Sequence, residues 1–263
     1  MFSIMGITLK GIFRDRVFHG ILMVALILPL VPAISMLSMR QTTELSITLS
    51  LSLISFILLL LAVFLGSTSL WKDIDRRYTY SVLSLPITRS SYLLGRFFGT
   101  ALFLVLTSML LGLVSLAVVW VVSSGTPPDR PVVWSNFVCS VVFDAIKYIL
   151  LVSIAFLFST VSSSFFLPIF GTISMFFVGN ASQQVYDYVN SQPAQTLSLF
   201  ARKSAVFLYY VLPNFSSFNF KVNAIYGLPL SSYGLIVTLL YGVIYCGIVL
   251  SFAAILFERK ELK

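Results

Sequence analysis

The sequence predicts an all-α, polytopic membrane protein with six transmembrane helices, and three observations carry that prediction. Hydrophobic residues make up 58% of the 263 positions and charged residues only 10%, against roughly a quarter in a soluble domain. Mean hydropathy is +0.99, more apolar side chain than a water-soluble interior of this size can hide. Charge-free runs recur at Phe18–Met39, Leu45–Trp71, Phe97–Pro128, Tyr148–Tyr186 and Val222–Phe257, each at or beyond the roughly 20 residues that cross a bilayer. Soluble, disordered and disulfide-stapled classes are excluded. Cys139 and Cys246 lie inside apolar stretches and read as small buried hydrophobes. The single His19 excludes a His-rich metal site.

Residues 1–16 come first and predict an interfacial helix. Phe2, Met5, Leu9, Ile12 and Phe13 share one helical face, and Ser3, Lys10, Arg14 and Asp15 the opposite one; Ile4, Ile7 and Arg16 interrupt the pattern. Lys10, Arg14 and Arg16 suit the headgroup layer of an inner surface. A short basic tail is the plainer alternative. The first span covers about 18–38. Val31-Pro32-Ala33 faintly resembles a cleavage site, but the apolar run continues past it, which favours an uncleaved span.

A tiny loop, Arg40–Glu44, leads into the second span at 46–70. The third covers 92–122, where Gly95 and Gly99 permit close helix approach at one end. The turn-forming Ser123–Pro128 precedes the fourth span, 134–160, which carries Asp144 and Lys147. Ser162-Ser163-Ser164 breaks the next long run and starts the fifth span at 165–180. Residues 180–231 mix aromatics with Pro193, Pro213 and Pro229 and predict short amphipathic helices packed at the outer mouth. The sixth span is 232–257. The whole chain, 1–263, reads as one membrane domain without the internal repeat of many secondary transporters.

Six spans place both termini on one side. That side holds Lys10, Arg14, Arg16, Lys72, Arg76, Arg77, Arg89, Arg96, Arg259, Lys260 and Lys263, eleven of the 17 basic residues; the other holds Arg40, Arg130, Arg202, Lys203 and Lys221. The excess marks the terminal side as cytoplasmic. The net charge of +8 is thereby explained by topology, with no nucleic-acid groove required.

No GxxxxGK[ST], HExxH, GxSxG or CxxC occurs. No catalytic residue and no metal ligand set is expected; Met36 and Met39 alone read as packing. Asp144 and Lys147, three apart, share one helix face at a depth where ionisable groups need a partner or a cavity. They line a substrate path or subunit contact, or they form an internal salt bridge; the sequence leaves both open.

The one substantial cytoplasmic loop runs from Trp71 to Arg89. It is dense in charge of both signs, then semi-apolar, then broken by Pro86. Such a segment can lie across the inner surface as a short helix and move two spans together. A solvated connecting loop is the alternative on physics alone. Asp75-Arg76-Arg77, Tyr80-Ser81-Val82-Leu83-Ser84-Leu85-Pro86-Ile87-Thr88-Arg89 and Leu94-Gly95-Arg96-Phe97 resemble the inner-loop signature of type-2 permeases of ATP-binding cassette (ABC) transporters. Tyr209–Phe215, Phe218-Asn219-Phe220 and Phe257-Glu258-Arg259-Lys260 fit the ending of such chains. Tyr78-Thr79 and Arg96 depart from the commonest residues of the pattern.

The resemblance implies the membrane half of an exporter in a bacterial inner membrane. Two permeases, identical or homologous, pair with two cytoplasmic ATPase subunits, which hold the ATP and Mg; this chain binds no cofactor. The interfacial helix becomes a connecting helix. Asp73, Asp75, Arg76, Arg77, Tyr80, Leu83, Pro86 and Arg89 belong to the coupling helix that meets the ATPase, with a smaller contact at Val161–Ser164. The scarcity of polar residues in the spans favours an amphiphilic or lipid-like cargo. The alternatives are a membrane-embedded lipid-modifying enzyme using Asp144 and Lys147 as acid and base, and a stand-alone secondary transporter.

Overall fold

The computed structural model describes residues 2–14, 19–20, 23, 41–75, 88–125, 130–162, 164–191 and 198–259. They form α1 (Phe2–Phe13), α2 (Thr42–Asp75), α3 (Arg89–Gly125), α4 (Trp134–Val161), α5 (Phe166–Val189), α6 (Leu199–Val211), a 3-10 turn (Phe215–Phe218), α7 (Lys221–Tyr226) and α8 (Ser232–Arg259). No strand occurs among the described residues.

Among the described residues, four helices are long and apolar enough to cross a bilayer: Thr42–Trp71 within α2, all of α3, all of α4, and α8. They cover the expected spans at 46–70, 92–122, 134–160 and 232–257. The expected first span, 18–38, lies almost wholly outside the described residues. The expected fifth, 165–180, falls within α5. The apolar part of that helix, residues 166–178, is about 20 Å long, short of the roughly 30 Å hydrocarbon core. It then runs on through Asn180, Gln183, Gln184 and Asp187, so α5 is not among the four.

Helix boundaries have local causes. α4 ends at Val161 because Ser162 turns extended and its hydroxyl both donates to Ser164 O and accepts from Ser164 N–H. The serine break expected there is thus a side-chain-bonded turn. α6 opens on Ser198, whose hydroxyl accepts from Ala201 N–H. α7 closes on Gly227 at φ +64, a left-handed position that favours glycine.

α4 is the axis of the bundle. Its most apolar stretch is 72% buried, against 22% for α8. α2 packs along it, Ser159 Oγ donating to Ser67 O at 3.1 Å, and α3 closes a second side, Ser108 Oγ donating to Val141 O. α8 lies outermost, with Ile236, Val243, Ile244 and Phe252 each about 60% exposed, a surface suited to lipid tails.

α1 packs on α3 through a face that overlaps the expected one at Ile12 and Leu9 and adds Ile4 and Thr8. Ile4, Thr8 and Ile12 are buried while Phe13 is 52% exposed. Ile4, which interrupts the sequence pattern, belongs to the buried face. Thr8 joins it because its hydroxyl donates to Ile4 O at 2.8 Å, which removes its need for water.

Candidate functional site

Two assemblies built on a buried ion pair stand out among the described residues. The first lies where residues 76–87 connect α2 to α3. Asp73, in the last turn of α2, is buried. It pairs with the Arg96 guanidinium and accepts from Tyr92 Oη, both on α3. Arg96 Nε donates to Tyr92 Oη at 3.2 Å and another guanidinium N–H to Thr8 Oγ1 at 3.5 Å. Tyr92 and Arg96 are four apart and so share a face. One carboxylate thereby ties α2 to α3, and the same arginine reaches α1.

Gly99 makes that junction possible. A Cβ there would lie 2.7 Å from Thr8 Cβ and 3.2 Å from Met5 O, so the α1 backbone rests directly on α3. At the same end, Arg89 donates to Glu258 O at 3.2 Å and Ser90 Oγ donates to the Glu258 carboxylate, fixing the start of α3 to the last turn of α8. Trp71 meets Phe165 edge to face, with centroids 5.1 Å apart, which brings the start of α5 to the end of α2. Five helices, α1, α2, α3, α5 and α8, are therefore anchored around the two ends of the 76–87 connection.

The coupling residues named from sequence separate accordingly. Asp73 and Arg89 lie in the junction, at opposite ends of the connection. Asp75 is the last residue of α2. Arg76, Arg77, Tyr80, Leu83 and Pro86 lie outside the described residues, as does Arg16 of the expected interfacial helix. Lys10 and Arg14 are exposed, Lys10 on α1 and Arg14 just beyond it. Asp73 is buried against α3, where Tyr92 and Arg96 meet it. Sequence reading missed Tyr92 and Thr8 and took Arg96 only as a motif residue. The paired charges on either side of one loop were the available signal.

The second assembly is the intramembrane pair. Lys147 Nζ lies 2.7 Å from Asp144 Oδ1, and Ser55 Oγ of α2 donates to the other oxygen. Asp144 and Lys147 are both buried, and Lys147 also sits 4.7 Å from the Tyr148 ring centre. Of the two readings open from sequence, the internal salt bridge is the one the geometry displays. The serine adds a bond between α2 and α4, which spacing within one helix could not reveal. Lys221, on α7, shares this neighbourhood. Burial pushes its ammonium below the ordinary value against the pull of Asp144, and Lys147 adds to the fall.

At the far end, the segment after α5 folds down onto the bundle. Phe215 and Phe218 are fully buried, Phe220 meets Phe143 edge to face at 4.8 Å, and Asn136 Nδ2 donates to Asn223 O and Leu228 O at 3.0 and 2.8 Å.

A family model described as ABC-2 family transporter protein matches residues 4–262. The chain belongs to the ABC-2 transporter family. It is an integral membrane permease of an ABC transporter. An ABC-2 permease is a transport subunit, not itself a catalytic enzyme, and its family implies an ATPase partner. The lipid-modifying reading of Asp144 and Lys147 is therefore not favoured. No curated protein matches the sequence significantly.

Proposed function

We propose that this permease exports an amphiphilic, lipid-like cargo, driven by a separate ATPase that docks on the 76–87 connection. The whole chain, 1–263, works as one permease domain. Two copies, identical or homologous, pair across a lumen and engage two ATPase subunits. ATP and Mg reside on those subunits. The membrane is the bacterial inner membrane, with both termini cytoplasmic as the excess of basic residues indicates.

One observation carries this reading: Asp73, Tyr92, Arg96 and Thr8 bind α1, α2 and α3 into a single unit beside the connection. Asp75, Arg76, Arg77, Tyr80, Leu83 and Pro86 meet the ATPase, while Asp73 and Arg89 hold the two ends of the lever. A push on a segment so anchored moves its helices together instead of being absorbed by side-chain rotation. Work is done only if the two nucleotide states of the ATPase contact the connection differently. Lys10, Arg14 and Arg16 keep the α1 region at the anionic inner surface.

The cargo reading rests on the apolar character of the spans. A large polar solute would need a hydrated lumen lined with hydrogen-bonding groups, whereas a lipid-like tail can remain beside apolar helix faces. The experiment is copurification with the ATPase, followed by Ala replacement of Arg76 and Arg77. Retained folding with lost ATPase binding or stimulation supports the proposal. Unchanged binding and stimulation overturns it.

A further inference from the structure

α8 is held at both of its ends. Beside the 76–87 connection, Arg89 donates to Glu258 O at 3.2 Å and Ser90 Oγ donates to the Glu258 carboxylate. Arg89 and Ser90 are the first two residues of α3. That helix has no acidic residue in its first turn, so Glu258 supplies the negative charge that a helix N-terminus favours. At the far end, Tyr245 Oη donates to Val211 O at 2.9 Å, and Tyr241 Oη accepts from Asn214 N–H at 2.9 Å. Gly242 lies between them against Phe218, where an added Cβ would come within 3.1 Å of two ring carbons. One turn of α8 thus grips the chain from the end of α6 to the 3-10 turn.

About 25 Å of helix separates Tyr241 from Glu258 at the ordinary rise per residue. No proline falls within Ser232–Arg259, so bending or shortening this length must open backbone hydrogen bonds. Between the two holds, Val249, Leu250 and Ala253 are buried and offer only hydrocarbon to their neighbours. Packed helices slide past one another in small shear steps over such contacts. The far hold behaves differently. Both of its bonds go to main-chain atoms, so a shift of α8 carries the backbone of 211–214 with it.

We propose that α8 is a strut coupling the start of α3 to the 211–218 segment. A displacement of α3 enters through Glu258 and arrives at the opposite end of the bundle through Tyr241 and Tyr245. In the export reading, on which only the source of the displacement rests, the ATPase pushes the 76–87 connection and the strut delivers that push to the far segment. The other polar ties end elsewhere: Asp73 joins α2 to α3, and Asp144 joins α4 to α2. Coupling between two sites is reciprocal, so loosening either hold is felt at the other. A helix that merely lay alongside would show each loss at its own end.

The test is hydrogen–deuterium exchange of the full chain in phosphatidylglycerol nanodiscs, read at the amides within 89–92 and 211–218. The variants are Glu258→Ala and Tyr245→Phe. Glu258 is exposed and the phenylalanine keeps the ring, so neither change empties the core. The result expected is faster exchange at 211–218 in Glu258→Ala and at 89–92 in Tyr245→Phe, each by about threefold or more, with the middle of α4 still protected. Confinement of each effect to its own end overturns the strut. Faster exchange throughout α4 as well marks general loosening and overturns it too. A second arm adds the ATPase, with and without ATP and vanadate. An ATP-dependent change at 211–218 that disappears in Glu258→Ala while the ATPase stays bound supports the strut. Survival of that change in the variant overturns the strut and leaves the export reading standing. Reciprocal exchange in the chain alone, with no ATP-dependent change in the wild-type complex, supports the strut and overturns the ATP-driven reading.

Discussion

Gly99 and Thr8 are in direct contact: a methyl group added to Gly99 would lie 2.7 Å from Thr8 Cβ. The obstructing atoms are the Cβ of a buried residue and the backbone oxygen of Met5, neither of which can swing aside. Gly99→Ala should therefore push α1 off α3, and Gly99→Val more so, costing about 1–3 kcal/mol as other overpacked sites do. Thermal unfolding of the purified chain checks the cost. The accompanying rise in α1 amide exchange locates it; unchanged exchange in α1 would contradict the assignment.

The Asp73–Arg96 pair gives the second prediction. Removing one partner strands a buried charge, which costs about 3–5 kcal/mol. Asp73→Ala and Arg96→Met should each be severe. The double variant should be milder than the sum of the two, because residues in one network are not additive. A denaturation series on the four proteins measures the coupling. Strict additivity would mean that the pair is not an energetic unit.

Asp144 and Lys147 should behave in the same way, at a site with a different consequence. Asp144→Ala leaves Lys147 buried without its carboxylate and should destabilise strongly. Asp144→Leu together with Lys147→Met should recover much of the loss, since apolar replacements of a whole buried pair are often neutral. Export of cargo by that double variant separates a structural pair from an acid–base pair. A folded but inactive double variant would give the pair a part in transport.

Asn136 holds the segment that follows the 3-10 turn down by two bonds to backbone oxygens. Asn136→Ala leaves both oxygens unanswered and should cost about 1–3 kcal/mol each where they are buried. The readout is limited proteolysis within 213–231, which should quicken in the variant while α2 and α4 stay protected.

Much of the scaffold was legible because crossing a bilayer demands long charge-free helices. α2, α3, α4 and α8 begin and end within five residues of the sequence reading, since Lys, Arg, Asp and Glu mark the margins. α5 was read too short. Its apolar run stops at Val178, yet the helix continues to Val189 because Asn180 bonds back to Phe176 O and Tyr186 stacks on Tyr209. Phe176 lies one turn back in α5 itself, whereas Tyr209 comes from α6. The face of α1 was read in part, with Ile12 and Leu9 on it; Thr8 counts as polar in any periodicity, and its bond to Ile4 O lets it join the core.

The sites were legible in part. Asp144 and Lys147 announce themselves as charges in an apolar run, but Ser55, which completes the group, is one serine among many. Asp73 and Arg89 were picked from a motif; that Asp73 points inward to Arg96 depends on how α2 and α3 splay at their shared end. The chain of hydrogen bonds from Asp187 through Gln183 to Asn214 left no trace in sequence, because it joins Gln183 of α5 to a residue 31 positions further on.

The most direct measurement is site-specific photocrosslinking to the ATPase in membranes. A photoreactive residue at Tyr80 or Leu83 should yield a covalent adduct with the ATPase whose yield changes between ATP-free and ATP-bound conditions. The same group at Tyr210, at the far end of the bundle, should yield none. An adduct at Tyr210, or none at either loop position while the complex remains assembled, would contradict coupling through the α2–α3 connection.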